Sequence, residues 1–151
     1  MSTTVKVNSE YTAQPEIFSI NASGSGQGAI LNAVTGELAA PSGSVPGVQT
    51  APVARGDPVA IYCTNLSPYG PTPPSGSPAP ADPPTEASWP QVMIGGIVAD
   101  VLFAGLAPGY VGLYQVNAVV PPASPTGNAV PVQLSDTRGK FGSNTVTIAV
   151  K

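Results

Sequence analysis

The sequence predicts an all-β domain, an antiparallel β-sandwich of about eight or nine short strands. Three observations carry this. Apolar residues make up 42% of the 151-residue chain, more than disordered segments contain. They fall in short runs of alternating apolar and polar positions, the period of half-buried strands, and show no helical spacing. The runs are punctuated by 17 Gly and 19 Pro, residues that close turns and end regular elements. A chain of this length can bury a core without covalent staples, so residues 1–151 read as a single domain.

Thr3–Val7 reads as a strand inside an N-terminal extension, residues 1–14. Pro15 interrupts the pattern, and Glu16–Ile20 forms the next strand. Asn21–Gly28 is a polar glycine loop, and Ala29–Leu31 is a short apolar strand. A turn at Val34–Glu37 leads into a Pro/Gly/Ser connection over residues 38–53. In Pro58–Thr64, Val59, Ile61 and Cys63 alternate with Ala60 and Tyr62, as in a half-buried strand.

Residues 67–90 hold nine prolines in 24 positions. Proline has no N–H to donate, so this segment is expected to stay out of the sheets as a long surface loop. Gln91–Ile94 and Ile97–Ala104 flank Gly95-Gly96, a signature of a two-residue hairpin turn. Alternation in the second strand turns Ala99, Val101 and Phe103 inward and Asp100 outward. Tyr110–Val120 is the longest predicted strand and stops at Pro121-Pro122. Tyr114, Val116, Ala118 and Val120 share one of its faces; Leu113, Gln115, Asn117 and Val119 share the other. Asn128–Ser135 and Ser143–Val150 follow, joined through a turn at Asp136–Lys140. Val130, Val132, Leu134, Val146, Ile148 and Val150 then face inward, and Thr145, Thr147 and Ala149 outward.

Composition removes several function classes. The chain has no His and one Cys, so no Ser-His-Asp triad, Cys-His dyad or His-based metal site can be built. Five Lys/Arg under a net charge of −3 do not form the basic footprint that nucleic acid requires. The longest nearly uncharged stretch, Val101–Pro122, is broken by Gly105, Pro108, Gly109 and Gly112, so no membrane span is expected. Charged residues are only 9%, against about 25% in average soluble chains. Low charge with abundant Ser, Thr, Gly and Pro favours an exported module, secreted or at the cell surface. The segment Met1–Lys6 is no apolar leader, so any signal peptide lies outside this chain.

An ordered set of motifs resembles a known family. It begins with Gly26-Gln27-Gly28-Ala29-Ile30-Leu31-Asn32 and Arg55-Gly56-Asp57-Pro58-Val59-Ala60-Ile61-Tyr62. It continues with Ile94-Gly95-Gly96 and the run Ala99–Gly109, then Val111-Gly112-Leu113-Tyr114-Gln115-Val116-Asn117 with Val119-Val120-Pro121. It ends with Gly127–Val132 and Ser143–Val150. Over residues 14–150 this resembles the Solibacter-type uncharacterised C-terminal domains of exported acidobacterial proteins. The resemblance implies an immunoglobulin-like sandwich and transfers no catalytic residue. Cys63 departs from the small residue expected there, and the proline-rich loop is long.

Candidate site residues are few. The acids Glu10, Glu16, Glu37, Asp57, Asp82, Glu86, Asp100 and Asp136 are scattered, with no spacing that pairs two across a cleft as glycoside hydrolysis requires. Solvated surface carboxylates are the expectation, and no enzyme activity is expected. Cys63 sits at an apolar alternating position and reads as a buried, inert thiol. Gln115 and Asn117 form a polar pair on one strand face, suited to contacting a ligand or to satisfying nearby backbone groups. Tyr69, Trp89 and Tyr110 fall at loops or strand starts. They could stack on sugar rings or pack over the proline-rich loop.

Weaker signals are the PxxP match Pro71–Pro74, the glycosylation acceptors Asn21 and Asn65, and a calcium site assembled from Asp57, Asp82 and Asp136. A Lys6–Asn144 isopeptide bond would join the first and last strands. The expected role is non-catalytic: an extracellular or cell-surface structural or adhesion module without cofactor or metal, meeting a glycan or protein ligand through its loops. One alternative is a carbohydrate-binding module using Tyr69, Trp89, Tyr110, Gln115 and Asn117. Another is a homo-oligomer built by exchange of edge strands, with Thr3–Val7 pairing in its own domain or in another copy.

Overall fold

The computed structural model describes residues 14–69, 71–136 and 142–151. The strands are β1 (Glu16–Ile17), β2 (Ile30–Asn32), β3 (Leu38–Ala39), β4 (Thr50–Ala51), β5 (Pro58–Thr64), β6 (Gln91–Ile94), β7 (Ile97–Ala99), β8 (Val101–Leu106), β9 (Tyr114–Val119), β10 (Gly127–Ser135) and β11 (Val146–Val150). No helix occurs among the described residues. The larger sheet runs β4-β3-β2-β5-β9-β8, with β1 also pairing to β5; the smaller runs β11-β10-β6-β7. Pairing is antiparallel except between β3 and β4.

The sheets bury one core between them. Val59, Ile61, Cys63, Val116 and Ala118 come from the larger sheet, and Val92, Ile94, Val132, Leu134, Val146 and Ile148 from the smaller. Fully burying the Val, Leu and Ile side chains among them contributes about 1.5–3 kcal/mol each. Alternation put Val59, Ile61, Cys63, Val132, Leu134, Val146 and Ile148 on the inner face and grouped Val116 with Ala118 on one face of their strand. The Gly95-Gly96 hairpin forms as expected: Ile94 pairs with Ile97, and both glycines have positive φ, 62° and 79°, the mirror-image turn that suits twisted strands.

Several expectations are corrected. Ile97–Ala104 is not one strand. The chain crosses at Asp100 from the smaller sheet, as β7, to the larger, as β8. A bulge between Val101 and Phe103 then shifts the register, so Ala104 opposes Val116 and Phe103 opposes Asn117. Ala104 is therefore buried and Phe103 stands half-buried on the outer face. The bulge inserts one residue, which exchanges the faces of everything after it.

Tyr110–Val120 begins later than expected. Ala107 N–H donates to Leu113 O at 2.7 Å, closing a loop that holds Tyr110 out of β9. The longest strand is β10, with nine residues. The 38–53 connection contains β3 and β4, held by backbone pairing at Leu38–Thr50 and Ala39–Ala51. Ala149 points away from the sandwich centre yet is buried. Val53 N–H donates to Ala149 O at 3.0 Å, and β3 packs against β11, so the end of this connection lies along the edge of β11.

Residues 67–90 also depart from the free loop. The proline-free piece Thr85–Ser88 docks along β8. Ala87 N–H donates to Ala104 O at 2.8 Å, and Leu106 N–H to Thr85 O at 2.9 Å. Residues 67–69 line up on its far side, with Tyr69 N–H donating to Glu86 O and Ser88 N–H to Ser67 O, both at 2.8 Å. The segment thus caps the edge of the larger sheet. The edge of β11 is capped as well: Gly28 N–H donates to Thr147 O at 2.9 Å, and Thr147 N–H to Gly26 O at 2.8 Å. Capping of this kind removes the unpaired N–H and C=O rows through which sheets aggregate. The Thr3–Val7 strand, and all of the Asp136–Lys140 turn but Asp136, lie outside the described residues.

Candidate ligand-binding face

Strand register brings a set of outward side chains into line across the larger sheet. On β5 and β9, Tyr62 opposes Gln115 and Ala60 opposes Asn117. Gln115 in turn opposes Gly105 of β8, and Gly105 bridges to Glu86. On the other flank, Phe18 N–H donates to Tyr62 O at 3.1 Å. One row therefore reads Phe18, Tyr62, Gln115, Gly105, Glu86, Tyr69. The next reads Leu31, Ala60, Asn117, Phe103. Because Ile61, Cys63 and Val116 point into the core, the residues between them must point out.

The amides on this face are joined. Gln115 Nε2 donates to Asn117 Oδ1 at 2.8 Å, with both side chains half-buried. The bond runs between the two side chains; backbone groups are not its partners, contrary to one of the two expectations for this pair. Beside them, burial first and the neighbouring Tyr110 second push the Tyr62 phenol above its ordinary 10.0. Tyr110 itself is 58% exposed on the 107–113 loop.

Of the five predicted ligand residues, three gather here: Tyr110, Gln115 and Asn117. Tyr69 is exposed but lies three strand spacings from Gln115, about 14 Å. Trp89, 46% exposed, stands where the proline-rich segment turns into β6 and is outside both rows. Tyr62 was not singled out from sequence. Its alternation with Ile61 and Cys63 marked it as outward, but only the register shows it beside Gln115.

The other candidates have structural employment. Asp57 Oδ2 accepts from Ala54 N at 3.0 Å and Asn32 Nδ2 at 3.3 Å, which pins the turn before β5. Asn21 Oδ1 accepts from Ser23 N at 3.1 Å and Ser19 Oγ at 2.9 Å, organising the glycine loop. Asn65 Nδ2 donates to Gln14 O at 3.2 Å. Asn144 is committed to hydrogen bonds with Ile17 and Gly24, and Lys6 lies outside the described residues. Cys63 is fully buried, and burial pushes its thiol up to about 12. No group of three or more His, Cys, Asp and Glu that could hold a metal ion occurs among the described residues. No helix there is long and apolar enough to cross a membrane. A shallow depression lined by Gly43, Gly47, Val48, Gln49 and Thr50 lies on the loop between β3 and β4.

Comparison of the chain with protein-family models, curated proteins and solved structures finds no match.

Proposed function

We propose that the protein is a non-catalytic structural or adhesion module that works outside the cell or on its surface. The observation that carries this is the capping of one edge of each sheet by the chain's own segments, Thr85–Ser88 on β8 and Gly26–Gly28 on β11. Among the described residues, covering these two edges leaves only the two- and three-residue strands β4 and β7 open, which limits edge-to-edge aggregation at the high local concentration of a surface layer. It also holds its outer faces rigid, which favours recognition by a preformed surface. Low charge, at 9% of residues, and the resemblance to domains of exported proteins support the same setting. Assembly by strand exchange would have to use the outer edges of β4 and β7, where no strand pairs among the described residues.

The test is location. An antibody raised against the purified chain, applied to intact cells of the source organism and to their medium, is expected to find the protein on the cells or in the medium. Protein released only by lysis would overturn the reading. Sustained turnover of a hydrolase substrate panel by the purified chain would overturn its non-catalytic part.

A further inference from the structure

We infer that the outer face of the larger sheet, at Tyr62, Tyr110, Gln115 and Asn117, is a binding platform for a neutral oligosaccharide. This rests on the reading of the protein as a non-catalytic surface module and names what that module holds. The first support is unspent hydrogen bonding. An amide side chain offers an acceptor oxygen and a two-proton donor nitrogen. The Gln115–Asn117 bond uses one donor proton of Gln115 and the oxygen of Asn117. Gln115 Oε1 and Asn117 Nδ2 remain, an acceptor and a donor two residues apart on the same strand face. Neighbouring hydroxyls on a sugar ring each donate and accept, so a diol can engage both groups at once.

The second support is the absence of charge on the central strands of the platform. Leu31, Ala60, Tyr62, Gln115 and Asn117 face outward from β2, β5 and β9 without a formal charge among them. Anionic ligands would need cationic partners on these strands, and the nearest charge in the row, the exposed Glu86 beyond Gly105, would repel them. A neutral polyol needs no charged partner. The third support is aromatic surface. Tyr62 points outward beside Gln115, and Tyr110 stands exposed on the neighbouring 107–113 loop; a tyrosine ring gives an apolar face with a polar tip, matching the apolar face and polar rim of a pyranose. The small side chain of Ala60, between Leu31 and Asn117, forms a low floor beside them. A peptide adding as a strand is disfavoured, because the site is the middle of a face and not an edge.

The test titrates the isotope-labelled full chain with cellohexaose, xylohexaose and mannohexaose, and with hexagalacturonate as the charged control, while recording amide resonances. Saturable shifts centred on Tyr62, Tyr110, Gln115 and Asn117 are expected with at least one neutral sugar at millimolar concentration or below. Tyr62→Ala and the double variant Gln115→Leu/Asn117→Leu should each weaken binding at least about tenfold. Trp89→Ala and Tyr69→Ala should leave it unchanged. The shift map of the unmodified chain locates the site even if a variant fails to fold.

The inference is overturned by no saturable response to any neutral sugar. It is equally overturned by shifts centred elsewhere, by binding of hexagalacturonate alone, or by concentration-dependent shifts on this face without sugar, which would mark a second copy as the occupant. Failure of this titration leaves the cell-surface localisation result untouched, so the two readings fail separately.

Discussion

The side-chain amide of Asn144 acts as the strand partner of Ile17, 127 residues away. Its Oδ1 accepts from Ile17 N–H at 2.7 Å and its Nδ2 donates to Ile17 O at 2.8 Å. The same nitrogen donates to Gly24 O at 2.7 Å. One side chain therefore supplies the hydrogen bonds that a third strand would have supplied, and ties β1 of the larger sheet to the start of β11 in the smaller.

Replacing Asn144 removes this tie. Ile17 is only 2% exposed, so its N–H and C=O would lose their partner with little water to replace it. Each buried group left unpaired costs about 1–3 kcal/mol, and Asn144→Ala is expected to lose roughly 3 kcal/mol in total. For a chain of this size that is a fall in Tm of about 6–12 °C. Asn144→Asp keeps the acceptor but sets a carboxylate against two carbonyl oxygens, so it should also be destabilised at neutral pH. Thermal unfolding of the two variants checks both; an unchanged Tm in Asn144→Ala would show that the tie contributes nothing.

Gly105 decides whether the proline-rich segment can dock. A Cβ there would press on Thr85 O and lie 2.7 Å from Phe103 Cζ. Gly105→Ala is therefore expected to lift Thr85–Ala87 from β8, losing the Ala87–Ala104 and Leu106–Thr85 hydrogen bonds. Overpacking of this kind costs about 1–3 kcal/mol. Amide exchange at Ala87 and Leu106 should accelerate, and proteases should cut within residues 67–90 before the sandwich unfolds. Equal protection in variant and parent would mean that Gly105 is not the reason the segment lies so close.

The parts of the fold legible in the sequence are those dictated by one strand's own chemistry. Alternation alone identified the inner faces of β5, β10 and β11 and divided β9 into its two faces, and Gly95-Gly96 alone identified its turn. What escaped depends on relations between strands. A bulge leaves no mark in the apolar pattern, so Phe103 and Ala104 exchanged faces unseen. Nor does alternation say which sheet a residue joins, and Asp100 could not announce the crossing between them. β3 and β4 are two residues each and are held by backbone pairing, with no side-chain period to read. Prolines correctly excluded a long strand from residues 67–90, but Thr85–Ser88 contains none and keeps its N–H groups for β8. The candidate face follows the same division. Gln115 and Asn117 were visible as a pair, while Tyr62 joined them only through the β5–β9 register.

Cys63 makes the stability of the protein sensitive to alkali. The free thiol ionises near 9.0, and burial pushes it up to about 12 in the folded chain. Below the first value both states hold the proton and the full stability is present. Between the two values the unfolded chain releases a proton that the folded chain retains, so stability falls as pH rises. The slope from this one group approaches about 1.4 kcal/mol per pH unit. Tyr62 and Tyr114, both pushed above their ordinary 10.0 by burial first, add further loss at higher pH in the same direction. Cys63→Ala removes the thiol and leaves the tyrosines, so its stability should decline less steeply between pH 9 and 12 than that of the parent, whatever the cavity costs at neutral pH. Denaturant midpoints measured across that range give the two slopes, and equal slopes would sink the account. A thiol reagent at neutral pH offers an independent check: the native protein should stay unlabelled, and the denatured chain should react once.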